Sequence, residues 1–515
     1  MVPRAGYRRF FLLMKSDQQE TPLIDAILAF RLRSPSYFCI PAHRNGTGMG
    51  ARNRSLLGEN AFLADLTEAE GLDDLHAPAG AIEKAQRLAA RLWGSEQCHF
   101  LVNGSTAGNE ALLLACVREG EEVLVARGAH LSVLSGLVLS GAVPLWYTEK
   151  TDIPGGAPAD PAAIAAALDA HPGIRAVFLT SPTYYGVCSP LREIARICHE
   201  KGRPLLVDAA HGSHLAFLRE GPECAVAAGA DAVVMSMHKT GGSLTQSSLL
   251  HIQGNRIDRS RLRFALRVVM SSSPSYPLMA SLDGARHQLA TSGRELMHKA
   301  SFLAEQARKK LGAIRGIRLL EMQQADPLRL VFSAEEAGLS GIRLQELLFS
   351  EGNVSLELSD AVWVVAVITW ANTEADIDTL TEAVRAVLEK YGHDRSAPGS
   401  RVDFRAHTFP AAEPVISPRQ AWLAESGSVP LSDAEGRIAA ESVIPYPPGI
   451  PVICPGERIT SDVLTQICEL QKNQIPLRGM SDPSMKTLRV TKNEGCPYQT
   501  GTMNTSPVSR KKGKA

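Results

Sequence analysis

Ala232-Val233-Val234-Met235 runs directly into Ser236-Met237-His238-Lys239-Thr240, an apolar stretch followed by a polar end that carries a lysine. Two earlier stretches have the same build. Ala176-Val177-Phe178-Leu179-Thr180 stops at Ser181-Pro182, and Leu205-Leu206-Val207 stops at Asp208. Thr180, Asp208 and Ser236 fall at equal intervals of 28 residues, a length that fits a strand plus one crossover helix. Within the first interval Leu191, Ile194, Ala195 and Cys198 recur at the spacing of one helix face, which ends near Gly202. The spacing predicts a parallel α/β sheet. Ligands of such sheets bind beyond the carboxyl ends of the strands, so the polar residues after each strand are the candidate site.

Asp208 and Lys239 should then share one sheet edge. A carboxylate beside a pyridine nitrogen keeps it protonated and makes the ring an electron sink, and a lysine can anchor an aldehyde cofactor. Upstream, the strand-like Cys98–Val102 leads through Asn103-Gly104-Ser105-Thr106-Ala107-Gly108 into the helical run Asn109–Val117. Glycines and hydroxyls at a helix start turn free N–H groups and the positive dipole end toward an anion. No Gly-Lys-Ser/Thr follows, so this is not a Walker loop. His130 follows the strand Val123–Ala126 and could stack on an aromatic ring. Each residue also has a plainer role open to it: Lys239 snorkelling to solvent, Asp208 capping a helix, His130 bonding to backbone at a helix start.

Composition narrows the function classes. Lys plus Arg and Asp plus Glu are 54 each, which leaves no global field to recruit nucleic acid or an anionic membrane. The basic run Arg510, Lys511, Lys512, Lys514 reads as a solvated end. Nine cysteines without a C-x-x-C pair suit reduced core residues of an intracellular protein better than disulfides or a metal site. The start, Arg8-Arg9-Phe10-Phe11-Leu12-Leu13-Met14-Lys15, has too short an apolar run for a signal peptide, and no stretch approaches the roughly 18 apolar residues of a membrane span. A cytoplasmic location is expected.

At 515 residues the chain exceeds what one core usually organises. Residues 1–70 read as an amino-terminal arm and 71–290 as the large α/β domain. Residues 291–400 read as a smaller α+β domain, with helices at Ala300–Leu311 and Asp376–Glu389 flanking strands at Leu328–Phe332 and Val362–Ile368. A Pro-rich carboxyl-terminal domain over 401–475 contains Tyr446-Pro447-Pro448-Gly449-Ile450-Pro451, and the polar stretch 476–515 is expected to be a disordered tail.

Several runs together resemble the ornithine/lysine/arginine decarboxylase family of fold-type-I pyridoxal-phosphate enzymes. They are Asp208-Ala209-Ala210-His211-Gly212, Ser236-Met237-His238-Lys239-Thr240, Ser273-Pro274-Ser275-Tyr276-Pro277-Leu278, Leu72-Asp73-Asp74-Leu75-His76 and Pro445-Tyr446-Pro447-Pro448-Gly449-Ile450-Pro451. The resemblance spans about residues 20–460. It implies a fold-type-I large domain with a mostly parallel sheet, and pyridoxal 5'-phosphate as cofactor. It further implies decarboxylation of a basic amino acid to carbon dioxide and a polyamine-pathway amine, with arginine favoured because the short form resembles the biosynthetic arginine enzymes. By resemblance Lys239 is the Schiff-base lysine, Asp208 pairs with the pyridine nitrogen, and Ser105, Thr106, Ser236 and His238 hold the phosphate. His130 stacks on the ring, and His211 flanks the cofactor.

The same resemblance implies a homodimer or higher homo-oligomer, with Asp73, Asp74 and Ser275-Tyr276 at the seam. Glu441, Asp73 and Asp74 are candidate acceptors for the distal cation of the substrate. Where the family often has Pro-Gly-His-Lys, this chain has Pro41-Ala42-His43-Arg44. It is expected to match the family's short form, without a receiver-like amino-terminal domain. Two other readings remain at this stage. One is another fold-type-I enzyme, a β-eliminating lyase or an aminotransferase with Arg329 on the substrate carboxylate. The other is a non-catalytic regulatory homologue, which the retained Lys239 and Asp208 argue against.

Overall fold

The computed structural model describes residues 17–148, 156–392, 413–445, 449–472 and 475–492. The basic starts and ends of the chain and Tyr446-Pro447-Pro448 lie outside the described residues. The large domain is built on a seven-stranded sheet of β1 (Gln97–Leu101), β2 (Glu122–Ala126), β3 (Val143–Tyr147), β4 (Ala176–Thr180), β5 (Leu205–Asp208), β6 (Ala232–Met235) and β7 (Ser248–Ile252). Their order is β1-β7-β6-β5-β4-β2-β3, and only β7 runs against the rest. Helices cover both faces, which is why β5 and β6 are buried along their whole length and read as unbroken apolar runs.

Register converts the 28-residue interval into a site. Thr180 lies opposite Asp208, and Asp208 opposite Val234, so Thr180, Asp208 and Ser236 come out at one edge of the sheet. The helix Gly104–Cys116 presses on that sheet, and Gly108 is what lets it approach. A Cβ there would lie 2.8 Å from Leu101 Cδ1 and 3.0 Å from Val234 Cγ1.

The second sheet is antiparallel, with β8 (Arg318–Leu319), β9 (Arg329–Ser333), β10 (Leu358–Ser359) and β11 (Val364–Val367) in the order β10-β11-β9-β8. The division expected at 290/291 falls inside one continuous helix, Tyr276–Gly312. Buried Leu282, Leu289, Met297, Ala300, Leu303, Ala304, Ala307 and Leu311 carry a single apolar face through that point, so the helix packs on both units. The amino-terminal arm is tied in as well: Leu23 N–H donates to Asp283 Oδ2 at 2.9 Å, and the fully buried Arg286 holds Gln18 and Glu20.

The expected disordered tail needs correction. Thr487–Thr491 (β15) pairs antiparallel with Ser426–Pro430 (β12), and Leu477–Arg478 (β14) pairs with Ile444–Pro445 (β13). Leu488 and Val490 alternate with polar neighbours and are buried in the carboxyl-terminal core, a short period-two pattern that a composition count misses. Arg127 docks this lobe on the large domain: its guanidinium forks onto Glu457 at 2.5 and 2.9 Å and reaches the Val452 carbonyl at 2.9 Å, with both charged partners buried. None of the helices among the described residues is long and apolar enough to cross a membrane.

Candidate active site

At the carboxyl edge of β4, β5 and β6 lies a cavity of about 360 Å³. Its walls include Ser105, Thr106, Asn109, His130, Thr180, Tyr184, Asp208, His211, Ser236, His238 and Lys239, with Gly449 and Ile450 brought in by the docked carboxyl-terminal lobe. All eight cofactor contacts implied by the resemblance therefore meet in one place.

Asp208 is 2 % exposed, and its Oδ2 accepts from Asn109 Nδ2 at 2.8 Å while its Oδ1 accepts from Ala210 N–H at 3.0 Å. No helix starts after Asp208, so its bond to Ala210 closes a turn and does not cap a helix. Asn109 also donates to Ser132 Oγ at 2.9 Å, which sits 2.9 Å from His130 Nδ1. His130 is thus a helix N-cap and a cavity wall at once, so the plainer role does not remove it from the cavity.

The anion end forms where the helix Gly104–Cys116 begins. Ser105 Oγ lies 2.6 Å from Ser236 Oγ and 3.2 Å from Ser248 Oγ, a buried hydroxyl cluster beside the free N–H groups of the first turn. His238 gives its Nδ1–H to the Ser247 carbonyl at 3.0 Å, which leaves Nε2 for the cavity. Lys239 Nζ sits between the two ends, 3.0 Å from His211 Nε2 and 5.0 Å from the centre of the Tyr184 ring. Burial lowers the Lys239 amine below the usual lysine range, with Arg329 pushing the same way against the pull of Asp208. Burial first, and then the Lys239 and Arg329 cations, drive His211 well below an ordinary imidazole.

The three carboxylates considered for the substrate cation are placed elsewhere. Asp73 accepts from the N–H groups of Ala79, Gly80, Ile82 and Glu83 at 2.8–3.2 Å, capping the helix Ala81–Trp93 from a distance because Gly80 has no side chain to do so. Asp74 Oδ1 accepts from His76 N–H at 2.8 Å. Glu441 is 8 % exposed and accepts from Ser481 N–H and Oγ at 2.7 and 2.6 Å and from Arg489 N–H at 2.8 Å. None of the three lines the cavity of its own chain. Arg329 does not line it either. Its Nη2 donates to His211 Nδ1 at 2.7 Å, while its Nε and Nη1 are buried without a hydrogen-bond partner.

Asn109 and Tyr184 went unnoticed in the sequence. Asn109 stands four residues after Ser105 on the same helix face, a spacing that could have exposed it. Tyr184 follows the end of β4, where the strand-end rule points.

The fit to pyridoxal phosphate rests on donor chemistry. A helix start with clustered hydroxyls suits a phosphate, a buried carboxylate at the opposite end suits a pyridinium, and an amine between them suits an aldehyde. Two buried oxygens in the same walls, Asn109 Oδ1 and Thr180 Oγ1, have no partner.

Such a sheet, cavity and amine–carboxylate pair suit an enzyme of amino-acid chemistry. Residues 21–329 match the model of the Orn/Lys/Arg decarboxylase major domain and residues 402–476 that of the carboxyl-terminal domain, so the chain belongs to the Orn/Lys/Arg decarboxylase family. It is an amino-acid decarboxylase. It is 36% identical over 491 residues to an arginine decarboxylase of Halalkalibacterium halodurans, covering 93% of this chain and 99% of that one. An arginine decarboxylase of Bacillus subtilis is also 36% identical, over 489 residues with the same coverage. The solved structure of lysine decarboxylase A from Pseudomonas aeruginosa has the same fold, with a TM-score of 0.78 at 22% identity over 95% of this chain and 82% of that one.

Proposed function

We propose that this chain decarboxylates arginine, with pyridoxal 5'-phosphate anchored on Lys239. The observation that carries the reading is the cavity in which Lys239, Asp208 and the Gly104–Thr106 helix start converge. The arginine preference is supported by the relatives, since those matching 93% of the chain are arginine decarboxylases. When bound, the cofactor supplies an aldehyde for the substrate amine and a protonated ring that takes up the electron pair freed as carbon dioxide leaves.

The chain's own residues do the rest. Ser105, Thr106, Ser236 and His238 would hold the phosphate, Asn109 fixes Asp208 to face a pyridine nitrogen, and His130 would flank the ring. Burial of Asp208, Ser236 and His211 keeps water out, which strips solvation from the substrate carboxylate more than from the charge-dispersed transition state. Lys239 Nζ, released as the substrate amine takes its place and carrying the proton that amine gives up, then returns a proton to the α-carbon.

Asp208 is the one carboxylate among the described wall residues, and a basic substrate needs another for its distal cation. A homodimer supplies it. The amino-terminal arm exposes Leu32, Phe38, Ile40 and Leu56, an apolar surface suited to a partner, and Asp74 and Ser275 belong at that seam. The enzyme is placed in the cytoplasm, in polyamine formation. Product amines from an equimolar mixture of arginine, lysine and ornithine test the reading: the arginine product should dominate, with carbon dioxide and no keto acid. Keto-acid formation, or borohydride fixing cofactor to a lysine other than Lys239, ends it, and a fully active monomer contradicts the dimer.

A further inference from the structure

Behind Lys239 runs a chain of buried polar groups that cofactor binding does not explain. Lys239 Nζ meets His211 Nε2 at 3.0 Å, and His211 Nδ1 meets Arg329 Nη2 at 2.7 Å. Arg329 Nε lies 3.9 Å from Asp326 Oδ2, and Asp326 Oδ1 is 2.9 Å from His214 Nε2. His211 is 5 % exposed, Arg329 4 %, and Asp326 and His214 not at all. Arg329 is held from the side by Gly186, whose backbone is at φ +88°; a Cβ there would come within 2.8 Å of Arg329 Cγ. Gly186 also accepts Asp326 N–H at 2.8 Å, so loop and strand fix the guanidinium against His211.

The hydrogens in this chain have only one consistent arrangement. A guanidinium only donates, so His211 Nδ1 must be the acceptor and carry no proton. The neutral ring then bears its hydrogen on Nε2, which donates toward Lys239. An ammonium has no lone pair to accept it, and an ammonium donating to Nε2 would require an imidazolate between two cations. We infer that Arg329 is a positioning residue: it locks His211 in the Nε2–H tautomer, and that tautomer holds Lys239 as the free amine at neutral pH. The inference rests on the reading of Lys239 as the cofactor lysine, because a free amine is the form that takes up an aldehyde.

The charged surroundings agree with the geometry. Around His211, Lys239, Arg329, His130 and His214 all disfavour a second proton on the ring. Around Lys239, Asp208 and Glu357 favour the ammonium, while burial and Arg329 oppose it and prevail. Tyr184, its ring 4.4 Å from that of His211, closes the remaining side.

Two measurements on the full chain freed of cofactor test this. Nitrogen-15 spectra of labelled histidine, with His211 assigned by its loss in His211→Gln, should show Nε2–H in the wild type and in Arg329→Lys, and a mixed or Nδ1–H ring in Arg329→Met. Competitive acetylation of lysines, read by mass spectrometry of the Lys239 peptide, should be nearly flat from about pH 7 to about pH 9, where an ordinary lysine gains about a hundredfold. Arg329→Met should restore a rise of about tenfold or more, and Arg329→Lys should keep the flat profile. An Nδ1–H or doubly protonated His211 in the wild type overturns the inference, as does a wild-type Lys239 that rises like its exposed neighbours. If Arg329→Met does not fold, the wild type and Arg329→Lys still decide. Neither readout uses activity. Borohydride fixation on Lys239 with the wrong tautomer would remove this inference and leave the proposed function standing, whereas the right tautomer with fixation elsewhere would end the proposed function and leave only the Arg329–His211 tautomer lock.

Discussion

Glu441→Gln separates a structural acid from a substrate-binding one. The Glu441 carboxylate accepts three hydrogen bonds, two of them from the backbone N–H groups of Ser481 and Arg489. An amide can offer its single oxygen to only one side and must turn an NH₂ toward a donor on the other, so at least one of the two half-buried N–H groups loses its acceptor. A hydrogen bond to a charged group contributes about 1.5–3 kcal/mol and leaving a donor unsatisfied costs about 1–3 kcal/mol; these describe one and the same loss, which comes to about 2–3 kcal/mol at a carboxylate that is 8 % exposed. Local opening should rise accordingly, by roughly thirty- to hundredfold. Hydrogen exchange at the Ser481 and Arg489 amides is the direct assay, with KM for arginine and for lysine measured beside it. Protection should drop at both amides while both KM values stay within about twofold of the wild type. A raised KM with undiminished protection would mean that Glu441 holds the substrate cation after all, and the structural reasoning fails.

Two other outcomes follow from buried groups. Asp208→Asn retains size and can keep the Ala210 bond, with Asn109 turning its unpartnered Oδ1 toward the new NH₂, but removes the charge, so carbon dioxide release should fall by orders of magnitude while cofactor absorbance remains; near-normal turnover would reduce Asp208 to a turn residue. His251, 1 % exposed, is pushed by burial down to about 3 from the ordinary imidazole value near 6.5. The unfolded chain therefore binds the extra proton first as pH falls below about 6.5, and this group should remove about 1.4 kcal/mol of stability per pH unit until it titrates in the fold. Urea midpoints of wild type and His251→Gln, compared from about pH 7 to about pH 5, should diverge least at the acid end; parallel lines would refute the assignment.

The amino-acid order alone determined the sheet and the edge at which chemistry occurs. Strand, helix and turn are local, and a fixed interval between strand ends translates into register, so Thr180, Asp208, Ser236 and Lys239 could be placed together before any coordinates. The helix start at Gly104–Thr106 was legible for the same reason, because its free N–H groups belong to consecutive residues. The carboxylates were not legible in this way. Asp73 and Glu441 look available in one dimension, and only the path of the chain shows that the first is spent on the helix Ala81–Trp93 and the second on backbone 40 and 48 residues away. The strand Thr487–Thr491 was hidden likewise, since its partner is the distant Ser426–Pro430 and a lone five-residue stretch has no stable form by itself. Arg329 shows the limit most clearly. Its sequence neighbours suggest a strand-borne cation free for substrate, but tertiary packing brings it beneath His211, 118 residues earlier in the chain, and what a guanidinium does depends on which lone pair lies within reach of its hydrogens.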